Sequence, residues 1–233
     1  MTCMLDVNGL VSGYGTSEVI SDVSFKLAKS EVLAIVGKNG MGKTSLLKAV
    51  LGFLPAWNGS VRLDGKDVTR MPPHLKRRRG LVYVPQEQAL FQDLTIRDNL
   101  RLGLLSDRDL DAALEQVGQW FPVLTQRLQQ RAGTLSGGEQ KMLIVARALM
   151  AKPEVLLLDE VTEGLQPSLV DRLAEVLMRF RRDIGMSMIV IEQHLPFALG
   201  IAGRYLVLKR GEVVDSAAVD SGAAARIESH MRI

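Results

Sequence analysis

Residues 37–44 read Gly37-Lys38-Asn39-Gly40-Met41-Gly42-Lys43-Thr44 and match the pattern G-x-x-x-x-G-K-[ST]. A continuous apolar run, Val32 to Val36, precedes them, and a helix-like stretch from Lys43 to Leu51 follows. Glycines let backbone N–H groups approach a phosphate closely, and the start of a helix adds partial positive charge. The stretch therefore predicts a phosphate-binding loop between a buried strand and a helix.

Individual residues of this loop have expected roles. Lys43 is expected to reach the β- and γ-phosphates of bound ATP, and Thr44 is expected to bind Mg²⁺. The other residues expected to line the ATP site are Gly37, Lys38, Asn39, Gly40, Met41, Gly42 and Ser45.

Two carboxylates follow a second apolar run, Val155 to Leu158. Asp159 and Glu160 come directly after this strand-length segment. Ligands of open parallel sheets lie beyond the carboxyl ends of the strands. We therefore expect Asp159 to bind Mg²⁺ and Glu160 to activate the water that attacks the γ-phosphate. Taken alone, the pair is equally compatible with a buried strand that ends in solvated acids.

The alternation of short apolar runs with helical patterns predicts an α/β protein. We expect a P-loop core with a mostly parallel sheet, an N-terminal antiparallel β layer and a helical insertion. The chain is expected to form a single domain over residues 1–233. Its approximate lobes are a core made of residues 1–86 and 152–233 and a helical insertion at 87–151. Residues 95–128 are predicted to be helical, and the tail, 217–233, to be a weak helix.

Composition limits the classes of protein that fit. The chain has 233 residues, 47% of them hydrophobic, which is enough for a substantial core. A net charge of +3 and 5% aromatic residues argue against a nucleic-acid-binding protein. The single cysteine, Cys3, is typical of a reducing compartment. No signal peptide and no apolar run of about 20 residues is visible, so the sequence predicts no membrane span.

A third motif, Leu135-Ser136-Gly137-Gly138-Glu139-Gln140, precedes a predicted helix that runs to about Ala151. Ser136 and Glu139 have the spacing of a capping box, which we expect to form. The two glycines need another reason, because glycine destabilises a first helical turn. Their presence indicates that an anion approaches closely. With this motif, the sequence resembles the nucleotide-binding subunits of ABC transporters, whose signature is LSGGEQ, and the resemblance covers nearly the whole chain.

The resemblance implies the ABC ATPase fold and a head-to-tail pair of cassettes that share two ATP molecules. It implies that Ser136, Gly137 and Gly138 contact the γ-phosphate of ATP held by the second subunit. Tyr14 matches the aromatic residue that stacks on adenine in this family, although it could be a plain strand-end aromatic. Gln86 matches the glutamine that senses Mg²⁺ and faces the membrane partner.

The sequence also departs from the family pattern. Val161 replaces the proline that many members carry after the catalytic glutamate, and the loop after it reads Glu163-Gly164-Leu165-Gln166-Pro167. The position of the switch histidine is occupied by Gln193, which can donate a hydrogen bond to a γ-phosphate but has no titratable charge. We therefore assign the catalytic set as Glu160, Lys43 and Gln193, and leave His194 as a solvent-facing residue.

These departures resemble the subgroup that serves uptake of branched-chain amino acids and of urea or short-chain amides. The segments 121–124, 162–168 and 192–198 are most similar to the urea branch. The resemblance implies an ATP-hydrolysing importer subunit on the cytoplasmic face of the membrane. Its implied partners are a second ATPase subunit, two membrane permeases and, indirectly, an extracytoplasmic solute receptor. An exporter ATPase and a non-transport ABC ATPase are the alternatives.

Two further features are expected at the surface. The basic run Lys76-Arg77-Arg78-Arg79 is interpreted as a solvated short helix. Leu90, Phe91 and Leu94 form an apolar cluster after Gln86, and exposed apolar clusters often mark interfaces. We expect this cluster to help form the groove that receives a coupling helix of the membrane subunit. The alternative is that it packs into the helical insertion.

Overall fold

The computed structural model describes residues 3–86 and 90–231. Its strands are β1 Cys3–Tyr14, β2 Ser17–Ala28, β3 Val32–Val36, β4 Ala56–Leu63, β5 Lys66–Asp67, β6 Leu81–Val84, β7 Val155–Asp159, β8 Ser187–Ile191, β9 Arg204–Lys209 and β10 Glu212–Ala218. Its α-helices are α1 Lys43–Leu51, α2 Pro73–Arg78, α3 Ile96–Arg101, α4 Leu110–Trp120, α5 Pro122–Thr125, α6 Gly137–Met150, α7 Pro167–Ile184, α8 Leu195–Ile201 and α9 Ala223–Met231.

The strands form two sheets. The smaller sheet is antiparallel, with the order β2-β1-β4-β5. The larger sheet has the order β10-β9-β3-β8-β7-β6, in which the strands from β9 to β6 pair in parallel and β10 pairs antiparallel to β9. This arrangement confirms the predicted α/β class, with its mostly parallel core sheet and its antiparallel N-terminal layer.

The strand order brings the two sequence motifs of the core to one edge. The strands β3 and β7 are fully buried and flank β8, with which both pair in parallel. Because parallel strands end at the same side of a sheet, the loop after Val36 and the carboxylates at Asp159 and Glu160 come together there. Continuous apolar runs are what a sheet covered on both faces requires.

Helices cover the larger sheet. One apolar cluster contains residues of α4, α6 and α7 together with side chains of β7 and β8. A second apolar cluster lies between the two sheets and includes Leu46, Leu47 and Val50 of α1. The antiparallel layer and the helical block are therefore attached to the core by separate apolar interfaces.

The predicted helical stretch 95–128 is interrupted in the structure. Thr95 and Ser106 cap successive short helical segments with their side chains, and Pro122 opens α5 after a non-helical residue at Phe121. The apolar spacing of residues 110–121 is correct for α4, but these caps and the proline divide the rest. The predicted start of the insertion at residue 87 lies outside the described residues.

Two sequence expectations are corrected, one for the tail and one for the basic run. The tail is not helical throughout, because Ala217 and Ala218 belong to β10 and the helix α9 begins at Ala223. Residues 232 and 233 lie outside the described part. The basic run is not uniformly solvated, because Lys76 is completely buried and donates a hydrogen bond to the Val50 carbonyl over 2.7 Å.

In residues 3–86 and 90–231, none of the helices is long and apolar enough to span a membrane.

Candidate nucleotide-binding and catalytic site

The Lys43 side chain lies folded into the loop that precedes it. Its ammonium group donates hydrogen bonds to the carbonyl oxygens of Gly37, at 2.9 Å, and Lys38, at 3.1 Å. Its Nζ atom also lies 3.5 Å from Oε1 of Glu160, and both side chains are nearly fully buried. The ammonium group of Lys43 is thus held at the amino-terminal end of α1, where backbone N–H groups also point outward.

Two glycines are required by the geometry of this loop. Gly42 caps α1 with a φ of 96°, a left-handed conformation that other residues adopt only with strain. A Cβ atom on Gly37 would lie 2.4 Å from the Leu208 carbonyl oxygen. The loop therefore keeps its course only because both positions lack a side chain.

Asp159 is buried at the end of β7 and is held by two hydroxyl groups. Thr44 Oγ1 donates to Oδ1 over 3.2 Å, and Tyr83 OH donates to Oδ2 over 2.9 Å. Burial raises the pKa of the Asp159 carboxyl, while these two hydrogen bonds act in the opposite direction. The same burial, together with the Asp159 charge, raises the pKa of Tyr83, so its phenol stays a donor.

Glu160 has a strained backbone and a fully engaged side chain. Its φ of 48° is left-handed, and non-glycine residues in that region often occur at functional sites. Its Oε2 atom accepts hydrogen bonds from Nε2 of Gln86 and from Nε2 of Gln193, both over 2.9 Å. With Lys43 on the other oxygen, the carboxylate is surrounded by donors and positive charge.

The loop after Glu160 is tied to the site by residues that the sequence did not single out. Glu163 accepts a second hydrogen bond from Gln86, over 3.0 Å, and its carbonyl accepts one from Lys141 of α6. Thr162 donates twice to the buried carboxylate of Glu192. Each partner lies far away in the chain, so no local pattern indicates these contacts.

Tyr83 is another functional candidate that sequence reasoning missed. It lies in β6, three residues before Gln86, in a segment that the pattern identifies only as a buried strand. Its hydroxyl contact to Asp159 depends on the parallel pairing of β6 with β7, which places Tyr83 beside Leu157. A tyrosine in an otherwise aliphatic strand is the one signal that could have indicated it.

The signature residues do not join this cluster within one chain. Ser136 caps α6 in the expected capping box, with a 2.9 Å hydrogen bond from its N–H to Oε2 of Glu139. That contact lowers the pKa of Glu139, and Arg127 pairs with the other carboxylate oxygen over 3.1 Å. The open site near Lys43 is not lined by Ser136, Gly137 or Gly138. A Cβ on Gly137 would meet no atom within 4 Å, so its surface is free for a ligand.

Tyr14 and Gln193 lie at the rim of the site. Tyr14 is 48% exposed, and its hydroxyl is 3.5 Å from Oγ of Ser45, the residue that follows Thr44 in α1. His194 is exposed and is the residue before α8. Of Gln193 and His194, Gln193 is the residue whose side chain donates a hydrogen bond to Glu160.

An open cavity of about 340 Å³ lies between the P-loop and Glu160. The residues that line it are Val19, Asn39, Gly40, Gly42, Lys43, Thr44, Ser45, Gln86, Glu160, Glu163 and Gln193. Backbone N–H groups, one lysine and a hydroxyl are the donors that bind a triphosphate.

The donor set at the cavity edge fits Mg²⁺. The Thr44 hydroxyl and the Asp159 carboxylate touch each other, and the Gln86 side chain reaches the same region. Magnesium bound with a nucleotide takes one or two protein carboxylates and completes its shell with phosphate and water oxygens. In the described part of the chain, no group of three or more His, Cys, Asp or Glu residues could hold a metal ion.

A separate groove of about 640 Å³ lies beside β6. Its walls include the aromatic residues Phe53, Tyr83 and Phe91 and the basic residues Arg77 and Arg147. Phe91 is 57% exposed. Leu90, by contrast, packs partly against the core of the helical block, so the expected apolar cluster divides between surface and interior.

A family model described as "ABC transporter" matches residues 20–163 of this chain. The chain is 37% identical over 223 residues to the high-affinity branched-chain amino acid transport ATP-binding protein BraG of Pseudomonas aeruginosa, covering 95% of this chain and 94% of that protein. It is 36% identical over 217 residues to the probable branched-chain amino acid transport ATP-binding protein LivF of Archaeoglobus fulgidus, covering 90% of each.

Solved structures have the same fold. A nucleotide-free ATP-binding cassette from an ABC transporter superposes with a TM-score of 0.88 at 23% identity, covering 97% of this chain and 95% of the other. The ADP conformation of another ATP-binding cassette gives a TM-score of 0.86 at 24% identity, covering 98% and 96%. The expected arrangement of sheets and helical block is thereby confirmed.

Proposed function

This chain belongs to the ABC transporter family of ATP-binding proteins, an ATPase family, and on that premise we propose that it powers uptake of a small amino acid or amide. The observation that carries the proposal is the position of Glu160. Its carboxylate lies 3.5 Å from Lys43 of the P-loop and accepts a hydrogen bond from Gln86. A base, a phosphate-binding lysine and a polar sensor thus meet at one sheet edge.

ATP binding replaces contacts that the P-loop makes with itself. Lys43 leaves the carbonyl groups of Gly37 and Lys38 and binds the β- and γ-phosphates, with backbone N–H groups of residues 39–45 around them. Tyr14 stacks on the adenine. Thr44, Asp159 and Gln86 would hold Mg²⁺, which neutralises charge that develops on the phosphates.

Hydrolysis requires a water molecule at the side of the Glu160 carboxylate that lines the cavity. The carboxylate accepts a proton from this water as the water attacks the γ-phosphate, which is general-base catalysis. Gln193 donates a hydrogen bond that orients the Glu160 carboxylate in the free site, and its amide can turn to the γ-phosphate. Because Gln193 has no titratable proton, this position contributes no pH-dependent charge.

The second half of each site comes from another cassette. Ser136, Gly137 and Gly138 do not line the cavity of their own chain, and the open surface of Gly137 suits a phosphate of a partner's ATP. We therefore assign a head-to-tail pair as the active form. ATP favours the closed pair, and hydrolysis releases it.

The transported solute is assigned from the relatives. Two relatives named for branched-chain amino acid transport cover 90% or more of this chain. The segments 121–124, 162–168 and 192–198 favour the urea and short-chain amide branch. The proposal is an importer of branched-chain amino acids, with urea or a short-chain amide as the second candidate.

The partners follow from the same assignment. The groove that contains Phe53, Tyr83 and Phe91 is the docking site for a membrane permease, since it combines exposed aromatic groups with basic rims. The chain then lies at the cytoplasmic face of the membrane, below two permeases that receive solute from an extracytoplasmic receptor.

The enzymatic part is tested by phosphate release from the purified chain with ATP and Mg²⁺. Lys43→Ala should abolish both tight ATP binding and turnover, whereas Lys152→Ala, at an unrelated turn, should leave both unchanged. Equal turnover in Lys43→Ala and in the unmodified protein would contradict the assignment of the P-loop.

The solute is tested on the extracytoplasmic receptor that the proposed importer requires. Calorimetric titration with leucine, isoleucine, urea and acetamide separates the two candidates, because the receptor must bind the solute that is taken up. Binding of leucine but not urea supports the first candidate. The absence of a receptor gene, together with a membrane exporter domain fused to this chain or encoded next to it, would contradict uptake.

A further inference from the structure

Glu192 is a buried carboxylate with no part in the mechanism above. Only 2% of its surface is exposed, and burial raises its pKa. A buried carboxyl group is costly unless hydrogen bonds compensate it. Its position, directly after β8, is therefore expected to have a specific purpose.

Among the described residues, the hydrogen bonds to the Glu192 carboxylate both come from Thr162. Oε1 accepts from the backbone N–H of Thr162 over 2.9 Å, and Oε2 accepts from the Thr162 hydroxyl over 2.7 Å. Thr162 also fixes the turn that follows it, because its carbonyl accepts from the N–H of Leu165 over 3.1 Å. The carboxylate thus clamps the first residue of the turn that carries Glu163.

The clamp adjoins the strained backbone of the catalytic candidate. The N–H of Glu160 donates to the Ile191 carbonyl over 2.9 Å, one residue before Glu192. Gln193, one residue after it, donates to the Glu160 side chain. Three consecutive residues, 191–193, therefore hold the segment 160–162. They contact the backbone of Glu160, the residue Thr162 and the carboxylate of Glu160, respectively. A left-handed Glu160 persists only when its surroundings enforce it.

From this geometry we infer that Glu192 is a positioning residue for ATP hydrolysis, which keeps Glu160 and Glu163 in place through its two hydrogen bonds to Thr162. This inference rests on the proposed role of Glu160. In this role, Glu192 does not touch the nucleotide and does not exchange a proton during hydrolysis. What matters is its two hydrogen bonds to Thr162, so a side chain that preserves both should substitute for it.

The substitutions separate hydrogen bonding from charge. Glu192→Gln keeps both contacts as a neutral group, because its carbonyl accepts from the Thr162 N–H and its amide donates to the Thr162 hydroxyl. Glu192→Leu fills a similar volume without hydrogen bonds. Thr162→Val removes one contact, and Thr162→Ser retains both.

The experiment measures kcat for ATP, the Kd for ATP and the melting temperature of the full chain for these four variants. Misplacing a catalytic group by about 1 Å costs on the order of 10²-fold in rate. We expect kcat to fall by roughly 10–100-fold in Glu192→Leu and by a smaller factor in Thr162→Val, with an unchanged Kd for ATP. Glu192→Gln and Thr162→Ser should stay within about threefold of the unmodified protein, a factor well below that loss.

Two results would overturn the inference. If Glu192→Leu melts at a lower temperature but keeps its kcat below that temperature, the residue is structural only. If Glu192→Gln is as inactive as Glu192→Leu, the negative charge is required and the clamp is not the reason. Failure of the proposed function is visible separately, as unchanged turnover in Glu160→Gln.

Discussion

At the residue scale, Glu160 is the group on which the proposed chemistry depends. Its carboxylate lies between a lysine and two amides, and its backbone is held in a conformation that glutamate rarely adopts. These contacts hold the Glu160 carboxylate at the wall of the cavity. A substitution that preserves shape but removes basicity should therefore separate nucleotide binding from hydrolysis.

Glu160→Gln is expected to lower ATP turnover by about 10²–10⁴-fold, because general-base catalysis contributes that factor. ATP binding should persist, since the P-loop is unchanged, and an ATP-dependent dimer should accumulate. Phosphate release and size-exclusion chromatography with ATP measure the two effects. The matched control is Glu115→Gln on the exposed face of α4, and turnover equal to that control would refute the role of Glu160.

Gly37→Ala is expected to destabilise the protein by roughly 1–3 kcal/mol, the usual cost of overpacking. The added Cβ would lie 2.4 Å from a backbone oxygen of Leu208, so the P-loop or β9 must move. Since the Gly37 carbonyl is a partner of Lys43, ATP affinity should fall as well. Thermal unfolding and ATP titration test this.

The control for Gly37→Ala is Gly200→Ala in α8, where an added Cβ meets no atom within 4 Å. Alanine there should be neutral or slightly stabilising, because glycine lowers helix stability. Equal melting temperatures for the two alanine variants would show that the contact with Leu208 has no energetic effect.

At the scale of elements, the sequence predicts best what depends on neighbouring residues. The P-loop, the capping box at Ser136 and the strand before Asp159 are all local patterns, and the structure contains each of them. The division of residues 95–128 into separate helices was missed, although Ser106 is a capping residue, because apolar spacing alone does not mark such breaks.

Contacts between distant segments could not be predicted in the same way. Glu192 and Thr162 are 30 positions apart, and Tyr83 and Asp159 are 76 positions apart. Only the strand order β6-β7-β8 brings them together. Without that order, nothing in the sequence around Glu192 or Tyr83 indicates which residue each one contacts.

The helix α2 shows the same limit through Lys76. This helix has one buried basic residue, Lys76, among more exposed ones, and six residues are too few for sequence periodicity to show which side is buried. Lys76 enters the interior and donates to the Val50 carbonyl, near the carboxyl end of α1, where a positive group is favourable. Burial lowers the pKa of Lys76 to about 8.

The titration of Lys76 should make stability depend on pH. Between pH 8 and about 10.4, the ordinary value for lysine, the unfolded chain holds this proton and the folded chain does not. The free energy of unfolding should therefore rise with pH across this window, by at most about 3 kcal/mol from this group. Below pH 8 both states are protonated, and this contribution is constant.

Urea unfolding of the native chain and of Lys76→Met from pH 7 to 10.5 measures the effect. The difference in stability between the two proteins should change in favour of the native chain as the pH rises. Lys66→Met, at an exposed lysine, serves as the control for general charge effects. A pH-independent difference for Lys76→Met would show that the amine is protonated throughout.

At the scale of the whole molecule, the chain presents two unfinished surfaces. The signature residues at the start of α6 do not line their own P-loop cavity, and the groove beside β6 leaves Phe91 exposed. Under the proposed function, the first surface receives another cassette and the second receives a permease. Catalysis and transport are thus expected to be properties of the assembly.

Phe91→Asp is expected to abolish co-purification with the co-expressed permeases, because it places a charge where an apolar contact is proposed. ATP binding by the isolated chain should be unchanged, since Phe91 does not line the nucleotide cavity. The control is Ile184→Asp, at an exposed apolar residue that ends α7. Normal assembly of Phe91→Asp would exclude this groove as the docking site.

Tyr83 belongs to both of the regions that matter for transport. Its ring forms part of the groove wall, with its centroid 6.4 Å from that of Phe53, and its hydroxyl holds the Asp159 carboxylate. In the proposed assembly, a permease seated in the groove would touch one end of this side chain, while the other end holds the carboxylate proposed as a Mg²⁺ ligand. A single tyrosine side chain would then connect the docked permease to the site of ATP hydrolysis.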